Sequence, residues 1–149
     1  MIRLARIEDA PSLAALEKDS QNHRPWTLSM FHAALVDPLY VFLTDERGGA
    51  IAGFGCVKCA GDEGELDYIA VAESMRRQGV ADGLLTALTA AVRAQGVQTI
   101  FLEVGVHNAP AVALYQKHGF TRLSVRKNYY GEGKDALVMR RDPDKSPTP

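Results

Sequence analysis

The sequence predicts an α/β (α+β) fold, a mixed sheet flanked by helices, and two observations carry that prediction. One is a change of period. Short apolar stretches bounded by glycines and charged residues fill 40–71, whereas from Gly79 onward Val80, Leu84, Leu88 and Val92 recur every fourth residue. The other is order. A strand at Glu65–Val71, a long helix, a strand at Thr99–Val104 and a second helix follow one another. Such a unit needs at least one parallel pair joined by a right-handed crossover.

Each element has its own signal. Met1 to Ala5 reads as a first strand, and Asp9 precedes an amphipathic helix with Leu13 and Leu16 at helical spacing. Pro25-Trp26-Thr27 opens a second, short helix, with Thr27 as N-cap and Met30, Phe31 and Leu35 on its inner side. Tyr40–Thr44 and Ala50–Lys58 are strands joined by a hairpin loop, Asp45 to Gly49. Gly61 to Gly64 forms another turn, leading into Glu65–Val71. The long helix ends near Gln95-Gly96, and Thr99–Val104 is a short buried strand. Asn108 caps a helix over Ala109–His118, and Gly119 closes it in a left-handed conformation. Phe120–Val125 and Ala136–Arg140 are strands around a loop rich in tyrosine and glycine. With neither repeats nor a linker, one domain over 1–142 and a tail over 143–149 are expected.

Composition narrows the function classes. The 149 residues are 46% apolar and 23% charged, as in a globular domain with a core and a wet surface. A net charge of −1 argues against nucleic acid as partner, which wants a strongly basic face. Apolar runs are only a few residues long, as at Tyr40–Leu43, so no membrane partner is expected. The opening residues Met1 to Arg6 lack the apolar core of a signal peptide, which points to the cytoplasm. Cys56 and Cys59 form a lone C-x-x-C without further zinc ligands, on a strand where residues three apart face opposite ways, so two inert thiols are expected. His23, His32, His107 and His118 show no ligand spacing, and no metal is expected.

Three places carry candidate chemistry. Arg76-Arg77-Gln78-Gly79-Val80-Ala81 lies between a strand and the start of the long helix, where backbone N–H groups lack helical partners and carry partial positive charge. With Gly79 and Ala81 allowing close approach, this is a pyrophosphate cradle; a solvated turn would use the same glycine for shape alone. Glu103 sits among apolar neighbours, where desolvation would raise its proton affinity as a general base needs; a structural ion pair is the alternative. Asn108 and Tyr115, seven residues apart, share a helix face, although a cap and a core aromatic would explain them equally.

Taken together, Arg76-x-x-Gly79-x-Ala81 and Asn108-x-x-Ala111-x-x-Leu114-Tyr115-x-x-x-Gly119-Phe120 resemble the GNAT superfamily of N-acetyltransferases across essentially the whole chain. The resemblance implies a mixed, mostly antiparallel central sheet splayed in a V, flanked by about four helices, with acetyl-CoA in the opening. It implies that the backbone of Ile69, Ala70 and Val71 holds the pantetheine, that Arg76, Arg77, Gln78, Gly79, Val80, Ala81 and Asp82 hold the pyrophosphate, and that Asn108 contacts the cofactor arm. Pro25-Trp26-Thr27, Leu102-Glu103-Val104, Lys127-Asn128-Tyr129-Tyr130 and Asp135 to Met139 resemble the ribosomal-protein-alanine branch more narrowly. That resemblance implies Glu103 as base, Tyr115 as acid, Trp26, Tyr129 and Tyr130 around the acceptor, and a protein N-terminus, possibly of a ribosomal protein, as partner. Gly105, Pro110 and Asp82 depart from the branch pattern. A small-molecule amine or lysine acetyltransferase, or a catalytically silent acyl-CoA-binding module, are the rival readings.

Overall fold

The structure, a computed structural model, describes residues 1–18 and 25–143; His23 and residues 144–149 of the expected tail lie outside them. The strands are β1 (Ile2–Leu4), β2 (Tyr40–Arg47), β3 (Ala50–Ala60), β4 (Glu63–Val71), β5 (Thr99–Gly105), β6 (Thr121–Arg126) and β7 (Ala136–Arg141). The helices are α1 (Ala10–Lys18), α2 (Leu28–Val36), α3 (Val80–Ala94) and α4 (Ala109–Lys117), with single 3-10 turns at Ile7–Asp9 and Glu73–Met75. All seven strands form one sheet in the order β1-β2-β3-β4-β5-β7-β6. Among the described residues only β4 and β5 pair in parallel, the pair that the strand-helix-strand order requires.

Strands β2 to β4 are covered on both faces. Leu84, Leu85, Leu88 and Val92 of α3 are at most 2% exposed against one face. The approach is close: a Cβ on Gly53 of β3 would stand 2.8 Å from the Ala70 carbonyl oxygen and from Val80 Cγ1. On the other face, Leu13 of α1 and Phe31 of α2 are fully buried over Phe54 and Tyr68, and Trp26 packs edge-on to Phe31 with ring centroids 5.3 Å apart. Thr27 Oγ1 accepts from the Met30 N–H, the N-cap expected there. Met30 itself is 45% exposed and not inward, because Phe31 and Ala34, three apart, set the buried stripe and leave Met30 beside it.

The hairpin loop expected from Asp45 to Gly49 is shorter than that. Asp45, Glu46 and Arg47 extend β2 and pair with β3, leaving Gly48 and Gly49 as a two-residue turn at φ 58° and 79°. Both positive angles suit the right-handed strand twist, and two glycines adopt them without cost from a Cβ. Phe120, expected in β6, precedes it as a core residue at 2% exposure. Cys56 and Cys59 of β3 fall in the apolar clusters on opposite sides of the sheet, as strand alternation requires. Among the described residues, no helix is long and apolar enough to cross a membrane.

Two irregularities of the sheet open it at β4. Strands β4 and β5 pair only at Glu63–Glu65 with Thr99–Phe101, then part. In addition, β4 carries a bulge: Cys56 stands opposite Tyr68 but Val57 opposite Leu66, leaving Asp67 without a partner on β3.

Candidate active site

Where β4 and β5 diverge, a cleft of about 610 Å³ opens, within the usual range of small-molecule sites. Its walls are Leu66 to Val71 on one side and Leu102 to Gly105 on the other, with Asn108, Ala111 and Tyr115 of α4 at the back and Arg76 and Ala81 at one end. From Leu66 onward the β5-side edge of β4 has no strand partner, so its outward N–H and C=O groups are available to an extended ligand. Ile69, Ala70 and Val71 lie on that edge.

The turn into α3 is exposed from Arg76 to Gly79. Gly79 precedes the helix at φ 77°, and Arg77 adopts φ 65°, a left-handed conformation that costs a non-glycine residue about 1 kcal/mol or more. Left-handed residues at such spacing are a feature of backbone turns whose N–H groups converge on an anion. Val80 and Asp82 can serve it only through backbone. Val80 is a core residue at 2% exposure. The Asp82 carboxylate accepts from His118 Nε2 at 2.8 Å and from Lys117 Nζ at 3.0 Å, tying the start of α3 to the end of α4. These two contacts, His118 first, hold the Asp82 carboxyl below its ordinary pKa.

Asn108 caps α4 by accepting the Ala111 N–H at 3.3 Å and also lines the cleft, so the cap and the site are compatible uses of one residue. Tyr115 is 8% exposed and edge-on to Phe120, with centroids 5.9 Å apart. Burial, with a smaller push from Tyr130, raises its phenol well above the usual tyrosine pKa. The phenol therefore stays protonated and able to donate a hydrogen bond into the cleft.

Glu103 does not point into the apolar core, contrary to what its sequence neighbours suggest, although its side chain is only 19% exposed. Ile100, Leu102 and Val104 point into the apolar cluster beneath α3 and α4, so alternation sends Glu103 to the other face, which α1 and α2 do not reach. There Arg126 of β6 donates to Glu103 Oε1 at 2.7 Å while stacking over the Tyr129 ring at 4.4 Å. The ion-pair alternative is thus realised, and the carboxylate still lines the cleft. Glu103 and Tyr115 lie on opposite sides of β5. The parting of the strands lets them share one space.

A second pocket of about 370 Å³ adjoins the cleft on the Glu103 side, with Trp26, Met30, Tyr40, Tyr129 and Tyr130 around Glu65, Asp67 and Glu103. The three aromatic residues expected around an acceptor all line it, and Tyr130 reaches both spaces. Sequence reasoning missed Tyr40, Glu65, Asp67 and Arg126. Asp67 carried the signal that flagged Glu103, a carboxylate within an apolar strand, while the others have no local mark.

A mixed sheet opened between two parallel strands, with an exposed arginine- and glycine-bearing turn at one end and a carboxylate and a phenol across the gap, has a known counterpart. The acetyltransferase (GNAT) family model matches residues 4–120, and the chain belongs to that family: it is an N-acetyltransferase. It is 33% identical over 143 residues to the ribosomal protein bS18-alanine N-acetyltransferase of Escherichia coli strain K12, covering 93% of this chain and 96% of that protein. The crystal structure of the Escherichia coli ribosomal-protein-S18-alanine N-acetyltransferase superposes with a TM-score of 0.89 at 30% identity, covering 98% of this chain and 95% of that one. The fold is also that of a Thermoplasma acidophilum N-acetyltransferase solved in complex with coenzyme A, at a TM-score of 0.82, 17% identity and coverage of 95% and 98%.

Proposed function

We propose that this enzyme takes acetyl-CoA as donor and transfers the acetyl group directly to the N-terminal α-amine of a protein, of the ribosomal-protein-alanine type, in the cytoplasm. The observation that carries the reading is the gap between β4 and β5, a single space bordered by a diphosphate-sized turn, an unpaired strand edge, Glu103 and Tyr115. The exposed Arg76 and Arg77, the left-handed backbone at Arg77 and Gly79, and the free edge of β4 fit a long ligand with an anionic end.

Only a neutral amine attacks a thioester. An α-amine with a pKa near 7.8 is roughly 10–15% neutral at pH 7, a lysine near 10.4 only about 0.04%, a difference of about 3.5 kcal/mol. One carboxylate base therefore suits an α-amine better than a lysine. Glu103 takes the proton, directly or through a water, on the oxygen that Arg126 leaves open. The amine nitrogen bonds to the acetyl carbon, the carbon–sulfur bond breaks, and Tyr115 hydrogen-bonds the departing thiolate. Backbone N–H groups on the β4 edge polarise the carbonyl.

The test is incubation with acetyl-CoA and peptides beginning with Ala, Ser or Met, beside free lysine and polyamines, read by thiol release and by mass. Acetylation of the peptide α-amine is expected. Equal or faster turnover of free lysine or a polyamine overturns the substrate assignment, and acetyl-CoA binding that never yields thiol with any amine supports the silent alternative.

A further inference from the structure

Asp67 belongs to neither sequence motif, and the transfer by Glu103 and Tyr115 does not use it. Its position is nonetheless unusual. It is the bulge residue of β4, unpaired on β3 between Tyr68 opposite Cys56 and Leu66 opposite Val57. The bulge breaks strand alternation, so that Leu66 joins the cluster beneath α3 while Tyr68, two residues on, joins the cluster beneath α1 and α2. Bulges recur where a side chain must be re-aimed. Here the re-aimed carboxylate and Glu103 are the two acidic side chains common to the donor cleft and the adjoining aromatic pocket. The Tyr40 hydroxyl of β2 donates to Asp67 Oδ2 at 2.5 Å, and Lys58 Nζ lies 5.6 Å from the centre of the Tyr40 ring.

We propose that Asp67 receives the acceptor's ammonium group at the point of transfer, with Tyr40 fixing the carboxylate so that its other oxygen faces the amine. The proposal rests on the reading of this site as one that acetylates a primary amine. An α-amine reaches the site mostly protonated at neutral pH, and the site must first bind that cation and then relieve it of a proton. In the step envisaged, an N–H bond of the ammonium breaks and an O–H bond forms on the Asp67–Glu103 pair. The neutral nitrogen then bonds to the acetyl carbon of acetyl-CoA, the carbon–sulfur bond breaks, and the thiolate leaves. No further reactant is needed.

The surroundings agree with that role. Burial is the largest influence on Asp67 and pushes its carboxyl up, with Glu103 adding to the push, while the Tyr40 hydrogen bond and Lys58 oppose it. The groups that face it are Tyr40 from β2, Cys56 and Lys58 from β3, Glu65 from β4 itself and Glu103 from β5. A carboxyl raised by burial takes a proton from an amine more readily than an exposed one. Tyr40, its own hydroxyl raised by burial and by Asp67, stays a donor throughout. A purely structural Asp67–Tyr40 pair would affect stability and leave the amine untouched.

The experiment uses the full chain as wild type, Asp67→Asn, Tyr40→Phe and the double variant, each first checked for an unchanged melting temperature. Asp67→Asn should lower kcat/KM for an N-terminal alanine peptide about 10- to 100-fold, the range set by leaving a charged partner unmet, with the KM for acetyl-CoA within about twofold. Tyr40→Phe should lose roughly 3- to 10-fold in the same parameter, and the double variant should be no worse than Asp67→Asn, because Tyr40 acts through Asp67. Calorimetry of the peptide with the enzyme–coenzyme A complex should show about tenfold weaker binding for Asp67→Asn, and no change for the same peptide with its amine already acetylated. Asp67→Asn that keeps kcat/KM within about twofold, single losses that multiply in the double variant, or a loss falling on acetyl-CoA instead would each overturn the proposal. If the wild type acetylates no peptide, the substrate assignment fails by itself. The same calorimetric comparison with lysine and polyamines then still decides the role of Asp67.

Discussion

On one side of the gap, β2 to β4 lie between α3 and the α1–α2 pair. On the other, β5 and β7 are covered by the cluster beneath α3 and α4, β6 places no residue in it, and the cluster beneath α1 and α2 takes no residue from these three strands. The first half fills its interior with rings and branched side chains in contact, such as Phe42, Phe54 and Tyr68. The second half leaves β6 exposed along its whole length and holds the half-buried Glu103 against the exposed Arg126. Chemistry is found where the well-packed half meets the half-covered one. A site needs a rigid wall to hold the donor and an open wall to admit the acceptor, and three residue pairs are all that join the two strands there.

The contrast can be broken from either side. Glu103→Gln on the open half should cut kcat by roughly 10²- to 10³-fold, the loss typical of a removed general base, while the melting temperature and coenzyme A affinity stay near wild type. If kcat stays within about threefold, Glu103 is only the ion-pair partner of Arg126. On the packed half the reverse is expected. Gly53→Ala forces a Cβ to within 2.8 Å of the Ala70 carbonyl and Val80, and urea titration should show a loss of about 2 kcal/mol, with kcat unchanged well below the melting temperature. Equal stability would mean that α3 can retreat from β3, and that the packed half is softer than its close contacts imply.

A smaller effect sharpens the same contrast. Asp9, in the 3-10 turn before α1, meets Arg3 in two hydrogen bonds of 2.8 and 3.0 Å. The Arg3 contact holds its carboxyl below the ordinary 3.8. Because the folded value is the lower one, the stabilisation is present at neutral pH and is lost as pH falls below that ordinary value through the folded one. Asp9→Asn should cost about 1 kcal/mol at pH 7 and flatten the decline of stability between roughly pH 5 and 2, measured by denaturant titration across that range. A parallel decline in both proteins would remove Asp9 from the account.

Much of the fold and the site was legible in the sequence, and the limits have a physical pattern. Element order, the Thr27 and Asn108 caps, the left-handed Gly119 after α4 and the α3 stripe are local in period or turn chemistry, and each stands where its residues said. The turn at Gly79 and the cleft residues Asn108 and Tyr115 come from the same local signals. Non-local facts were invisible. Nothing in Glu63 to Val71 announces a bulge, so alternation groups Asp67 with Glu65 and Ile69 instead of re-aiming it. The environment of Glu103 was misjudged because chain neighbours on a strand point away from one another, and its true neighbour, Arg126, is 23 residues downstream. That β7 inserts between β5 and β6 depends on pairing across the whole chain.

The Asp82 bridge has a mechanical consequence. Lys117 and His118, which it holds, follow Tyr115 by less than one helical turn, and Asp82 itself stands in the first turn of α3, beside the anion seat. The phenol is therefore registered against the start of α3, not against the aromatic pocket on the Glu103 side. A displacement of the α3 start would carry the end of α4, and Tyr115 with it, while the aromatic pocket could change independently.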